Sequence, residues 1–198
     1  MSHPLLVGAP KGLIFDLDGT LIDSLELNWK AMDTALREFD IAIERQEFIS
    51  LTGRSIEEIT DTILRRHGHA AADRDVIIAR KREIANSHAD DVVENKIVAD
   101  VARSCHGIIP MSVGTGADAY RARLMLEATG LIGLFDHIVS AEDVVNHKPH
   151  PDTFLRCAEL MGVSPSECQV FEDGDPGLEA ARRAGMVATD VRPLLSGF

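Results

Sequence analysis

Five short apolar runs, each breaking off near a glycine or an acidic residue, constrain this chain more than any other feature. Gly12–Phe15 runs into Asp16, Ile108–Val113 into Gly114, Thr115 and Gly116, and His137–Ser140 into Ala141–Asp143. Cys168–Phe171 runs into Glu172 and Asp173, and Met186–Thr189 follows near the end. Runs of this length bounded by turn residues predict strands buried on both faces. Helical segments separate the later runs. Ala119–Thr129 carries Tyr120, Leu124 and Ala128 at spacing four and stops at Gly130. Pro151–Met161 opens on Pro-Asp and stops at Gly162, and Gly177–Ala184 stops at Gly185. Strands alternating with helices predict parallel βαβ units, hence an α/β fold on a doubly wound parallel sheet.

One stretch breaks the rhythm. Residues 24–91 hold no convincing strand and predict helices at Leu25–Phe39, Glu44–Leu51, Ser55–His67 and Asp73–Asp90, with Ser55 and Glu58 in capping-box spacing. The expected organisation is an α/β core from residues 1–23 and 92–198 with a small helical domain, 24–91, inserted after the first strand. A length of 198 residues suits one such core with a modest insertion.

Charge narrows the partners. Acids outnumber bases 32 to 20, so the net charge of −12 argues against nucleic acid and anionic membranes, which select basic surfaces. It also means that a site for an anionic substrate has to create positive potential locally. Cys105, Cys157 and Cys168 are odd in number and lack CxxC spacing, which argues against a disulfide framework or zinc knuckle and for a reducing compartment. The first residues lack a basic n-region, and no apolar run approaches the roughly 20 residues of a membrane span. The expectation is a cytoplasmic protein, with a monomer as the default because no long exposed apolar stripe stands out.

Chemistry concentrates where the runs end. In open parallel sheets ligands sit beyond the carboxyl ends of strands, where Asp16 and Asp18 of Asp16–Thr20 fall. On a continued strand both would lie on one face and be buried, which is costly unless a hard cation such as Mg²⁺ compensates them; a solvated turn is the alternative. Glu172 and Asp173 end a second run and could complete that cation site, or simply form an Asp-Gly turn with Asp175 capping the next helix. Gly114, Thr115 and Gly116 after a strand offer backbone N–H groups and a hydroxyl to an anion, or form only a flexible turn. Lys148, between His147 and Pro149, is a cation in a proline-braced loop, although a lone lysine more often serves only the surface.

These motifs, DLDGT, then VGTG, then KPHPDTF, then EDGDPG, in this order from Asp16 to Gly177, closely resemble the haloacid-dehalogenase superfamily. The helical insertion is similar to the small cap of its beta-phosphoglucomutase-like branch. VGTG, NHKPHPDTFLRCAELMGV and VFEDGDPGLEAA are most similar to fructose-1-phosphate phosphatase-like members. The resemblance implies a Rossmann-like core and a Mg²⁺-dependent phosphatase of small sugar phosphates. In it Asp16 is the nucleophile that becomes an aspartyl-phosphate, and Asp18 is the general acid and base. Asp16, the main-chain carbonyl of Asp18 and Asp173 hold the metal, with Glu172 either a further ligand or a support behind them, while Thr115, Gly116 and Lys148 bind the phosphate. A second aspartate at position 18 argues against dehalogenation, which has no alkoxide to protonate.

The insertion implies a cap that closes over the substrate and chooses the leaving group. Arg54 falls in the cap loop that reads substrate, and Arg80 and Lys81 are further candidates to contact it; a solvated helix face is the alternative, favoured for Arg82. Trp29 and Tyr120 are expected to pack. Mutase-like members carry a histidine where this chain has Asn28 and an arginine near Ile56, so these departures tilt the expectation toward hydrolysis. A beta-phosphoglucomutase and a non-catalytic binding module are the competing possibilities, and pure binding would have no need of Asp18.

Overall fold

The computed structural model describes residues 3–52, 55–69 and 74–195. In chain order, β1 is Gly12–Phe15 and β2 is Ile22–Asp23. Then come α1 (Leu25–Arg37), α2 (Arg45–Ile49), α3 (Ile56–Arg66) and α4 (Arg74–Ser87). The chain continues through β3 (Val93–Glu94), α5 (Lys96–Cys105), β4 (Met111–Gly114), α6 (Ala119–Ala128) and β5 (His137–Val139). It ends with α7 (Asp152–Met161), β6 (Cys168–Glu172), α8 (Asp175–Arg183) and β7 (Val187–Asp190). Two compact units result: Met1–Asp23 with Val92–Phe198, and Ser24–Asp91.

The first unit is a parallel five-stranded sheet in the order β5-β4-β1-β6-β7. After β1 the chain builds outward through β4 to β5, then crosses to the other side for β6 and β7. The switch point is therefore at β1, and a ligand site is expected beyond its carboxyl end. β1 is central because it is apolar throughout: Leu13, Ile14 and Phe15 are each 0% exposed, and burying such side chains contributes roughly 1.5–3 kcal/mol apiece. Phe15 pairs in register with Phe171 of β6, and their rings stack at 4.9 Å. Packed against this sheet, Phe154, Cys157 and Ala158 of α7 join Ala180 and Ala181 of α8 in one apolar cluster with Ile14 and Val170. All three cysteines are buried and free.

Three local expectations need correcting. Gly174, not Asp175, is the N-cap of α8, so Asp175 and Pro176 occupy its first turn, where an acid and a proline are both favourable. Tyr120 is 67% exposed and does not pack. The buried stripe of α6 is Arg121, Ala122, Met125 and Leu126, one residue on from the stripe that the apolar spacing suggested. The β2–β3 antiparallel ribbon is also new; its strands are two residues each, too short to leave a periodic signal.

The second unit has its own core. Met32 and Leu36 of α1, Phe48 of α2, Ile63 of α3 and Ile77 of α4 belong to one buried cluster, against which Trp29 packs. Trp29 Nε1 donates to the Ile43 carbonyl, so its polar end is satisfied. The Ser55 hydroxyl accepts from the Glu58 N–H at 3.2 Å, the first half of the expected capping box. Among the described residues no helix is long and apolar enough to cross a membrane.

Candidate active site

The site grows from the end of β1. Asp16 is the next residue, 6% exposed, its N–H donating to the Phe171 carbonyl at 3.0 Å. The Phe15–Phe171 register therefore sets Asp16 beside Glu172, which is 4% exposed. Immediately afterwards the chain turns. The Leu17 carbonyl accepts from the N–H groups of Thr20, Leu21 and Ile22, and Gly19 donates to the Ile22 carbonyl at 2.8 Å with φ +89°. This turn corrects the expectation that Asp16 and Asp18 are both buried on one face: the Asp18 side chain stays 30% exposed. Gly19 is required twice, by its left-handed backbone and because a Cβ there would lie 2.2 Å from Asp173 Oδ2.

Asp16, Glu172 and Asp173 each bring a carboxylate oxygen within 4.8 Å of the others. Lys148 answers them: its Nζ lies 2.6 Å from Asp16 Oδ1 and 2.8 Å from Glu172 Oε2, and 4.6 Å over the Phe154 ring. Glu172 Oε1 also accepts the N–H groups of Asp173 and Gly174. Thr20 Oγ1 donates to Asp173 Oδ1 at 2.8 Å. A Cβ at Gly177 would sit 1.9 Å from Glu172 Oε2, so that glycine leaves room for the carboxylate.

The electrostatics share one cause. Burial first, and then the Glu172 charge, raise the Asp16 carboxyl well above its ordinary value against the pull of Lys148. Burial and Glu172 likewise push Asp173 up to about 6. Burial alone would lower the Lys148 pKa, but Asp16 and Glu172 outweigh it and raise it, so the ammonium stays charged. Three buried or half-buried carboxylates thus cluster around one ammonium, which touches Asp16 and Glu172, so carboxylates are in surplus. An all-oxygen donor set with that surplus fits a hard divalent cation.

Thr115 follows β4 and is 2% exposed; its N–H donates to Val139 and its Oγ1 accepts from the Ala117 N–H at 3.0 Å. That bond uses the hydroxyl as acceptor and leaves its proton to donate elsewhere. Gly116 is exposed beside it. These residues do not open α6 directly, as the sequence suggested: Ala119 begins the helix, and the Asp118 carboxylate caps it at the Arg121 N–H.

Sequence reasoning missed two side chains. Arg121 Nη2 donates to Asp18 Oδ1 at 3.1 Å, from a residue only 7% exposed. Asn95 Nδ2 donates to the Gly19 and Thr20 carbonyls, each at 3.0 Å, and ties the turn to the start of α5. A cation on the apolar stripe of α6 was the available signal for the first, and a polar residue just ahead of a helix for the second. The remaining candidates lie in the helical unit. Arg80 pairs with Glu38 and Glu83, Lys81 is buried with its Nζ on Asn28 Oδ1, and Arg82 is exposed. Arg54 lies outside the described residues.

Comparison with known proteins gives this arrangement its relatives. A family model described as haloacid dehalogenase-like hydrolase matches residues 13–191. Fructose-1-phosphate phosphatase YqaB of Escherichia coli is 43% identical over 183 residues, covering 92% of this chain and 97% of its own. Beta-phosphoglucomutase of Bacillus subtilis is 28% identical, covering 91% of this chain and 83% of its own. The crystal structure of a beta-phosphoglucomutase from Clostridium difficile superposes with a TM-score of 0.74 at 25% identity, covering 91% of this chain and 84% of that one.

Proposed function

The chain belongs to the haloacid dehalogenase-like hydrolase family, and on that premise we propose that it is a cytoplasmic phosphatase of small sugar phosphates, with fructose 1-phosphate the first among them. The observation that carries the proposal is the clustering of Asp16, Glu172 and Asp173 at the ends of β1 and β6, with Lys148 on the first two. Similarity to a fructose-1-phosphate phosphatase along nearly the whole chain supports the choice of substrate.

In the proposed reaction an Asp16 carboxylate oxygen attacks the phosphorus and the bond to the sugar oxygen breaks, leaving an aspartyl-phosphate. Asp18 gives its proton to the departing alkoxide. It then takes one from the water that attacks the aspartyl-phosphate, releasing inorganic phosphate and restoring Asp16. Lys148 and the Thr115 hydroxyl, with the Gly116 backbone, bind the phosphate oxygens and supply the positive potential that a −12 chain otherwise lacks. Asp16, the Asp18 main-chain carbonyl, Glu172 and Asp173 would hold Mg²⁺. When bound, the cation screens the carboxylate–phosphate repulsion and stabilises charge on the transferring group. Choice among sugars falls to the helical unit, to which Arg54, Arg80 and Lys81 belong.

Phosphate release over a panel of sugar phosphates with Mg²⁺ tests this directly. Release from fructose 1-phosphate and a few related esters, abolished by EDTA, is the expected result. The 28% identical mutase supports a second reading. Glucose 6-phosphate formed from β-glucose 1-phosphate only after a bisphosphate is added, with no net phosphate release, would favour it. Silence in both assays would turn attention to a binding role.

A further inference from the structure

Resting on the reading of Asp16, Glu172 and Asp173 as a metal site, we propose that Asn95 is a positioning residue for it. Asn95 sets the Gly19–Thr20 backbone from which the Thr20 hydroxyl holds Asp173. An asparagine just ahead of a helix ordinarily accepts an N–H of the first turn through its side-chain oxygen. Asn95 is the N-cap of α5 and makes no such bond. Its main-chain carbonyl starts the helix by accepting from the Val98 and Ala99 N–H groups, while its amide serves the residues that follow Asp18. Nδ2 donates to the Gly19 and Thr20 carbonyls, each at 3.0 Å, and the Asn95 N–H donates to the Leu21 carbonyl at 2.8 Å. One residue supplies the donors for three successive carbonyls.

The ribbon makes this reach possible. β2 pairs with β3 through Ile22 and Glu94, and that register brings Leu21 alongside Asn95. Within the turn the N–H groups of Thr20, Leu21 and Ile22 all go to the Leu17 carbonyl, and that of Gly19 goes to Ile22. The carbonyls of residues 19–21 are then met from α5. Gly19, without a Cβ and at φ +89°, gives this stretch a wide choice of conformations. What the stretch delivers is narrow. Thr20 is 0% exposed and its Oγ1 donates to Asp173 Oδ1 at 2.8 Å, and Asp173 is one of the three clustered carboxylates. Hydrogen bonds that orient a metal's ligands matter to its affinity nearly as the ligands do. Thr20 makes such a bond, and Asn95 acts one bond further out, through Thr20.

Calorimetric titration with Mg²⁺ alone, no substrate present, tests the proposal on N95A, N95D, T20V, D173N and the N95A/T20V double variant, each checked for folding by circular dichroism. N95A is expected to weaken Mg²⁺ binding about tenfold, the lower end of what groups behind a metal's ligands contribute. In the T20V background N95A should cost less than about twofold more, because no hydroxyl remains to be placed. N95D separates this role from helix capping. Aspartate caps a helix as well as asparagine does, and its charge by itself favours a cation, so a capping role predicts Mg²⁺ binding at least as tight as in wild type. The positioning role predicts N95D no tighter than N95A, since a carboxylate has no proton for the two carbonyls. Three results would overturn the proposal: wild-type Mg²⁺ affinity in N95A, wild-type affinity in N95D, or an equal N95A loss with and without the Thr20 hydroxyl. Should N95A not fold, N95Q, which displaces the amide by one methylene, and its T20V double carry the same comparison. D173N that binds Mg²⁺ as wild type does would instead overturn the place of Asp173 in the metal site, so the two failures are distinguishable.

Discussion

Asparagine at position 16 is expected to cut phosphate release by on the order of 10⁴-fold or more, as loss of a covalent nucleophile does, while leaving the fold at least as stable as before. The two halves of that expectation have separate causes. An amide has nearly the shape of the carboxylate but cannot attack phosphorus. The carboxylate itself sits 6% exposed beside Glu172 and Asp173, and its pKa is raised because the folded state disfavours its charge. A neutral isostere removes that penalty. The same reasoning fixes a pH dependence for the wild-type chain without divalent cations. A carboxyl whose pKa is raised binds protons more tightly folded than unfolded, so stability falls as pH rises through the window between the two values. For Asp173 that window runs from 3.8 to about 6, and Asp16, raised in the same direction by burial and Glu172, adds to the loss. The gain in melting temperature on adding Mg²⁺ should grow across the same window, and in D16N it should shrink. Kinetics on the panel substrate and calorimetry from about pH 4 to about pH 8, spanning that window, measure both. A D16N variant that keeps even a tenth of the wild-type rate would remove Asp16 from the chemistry.

Methionine at position 148 should damage both stability and rate. Lys148 Nζ touches Asp16 and Glu172 at once, from a side chain only 14% exposed, so its removal leaves two carboxylates buried without their shared cation. Stripping one partner from a buried pair costs about 3–5 kcal/mol. At roughly 2–4 °C per kcal/mol for a chain this size, the melting temperature should fall by about 6–20 °C without divalent cations. Methionine retains an apolar stem against Phe154, so the loss is chiefly electrostatic. Mg²⁺ should therefore stabilise K148M more than wild type, since Asp16 and Glu172 have then lost their ammonium. Turnover should drop about 10²–10³-fold even at saturating Mg²⁺, the scale on which one oxyanion-stabilising donor acts. A melting temperature within about 2 °C of wild type in EDTA would contradict this account of the cluster.

The carboxylates were legible in sequence because a buried parallel strand is a continuous apolar run, and an acid that breaks it stands out. Asp16, Glu172 and Asp173 carry that signal, and the sheet order then brings them together. Lys148 was legible through its proline-braced loop, though not its double pairing, which depends on where β6 ends. Arg121 was missed for a specific reason. Spacing of four at Tyr120, Leu124 and Ala128 suggested one helix face, whereas the helix buries the face one residue on, a rotation of about 100° that converts an exposed arginine into a buried one. Asn95 was missed because its partners are backbone carbonyls 75 and 76 residues away, which no local pattern encodes. The helical unit was legible as helices, which depend on local periodicity, but Arg80 turns to Glu38 and Glu83. That choice depends on packing between helices that no single-helix pattern contains.

The most direct test of the central claim is to catch the phosphoryl group on the chain. A single turnover with ³²P-labelled fructose 1-phosphate, quenched in acid within milliseconds and treated with borohydride, reduces an aspartyl-phosphate to homoserine at the labelled position. Peptide mass analysis is predicted to find homoserine at residue 16, in wild type and in increased yield in D18N if its second step is the slower one. Substrate turned over with no acid-stable label, or a label on any residue other than Asp16, would contradict the account.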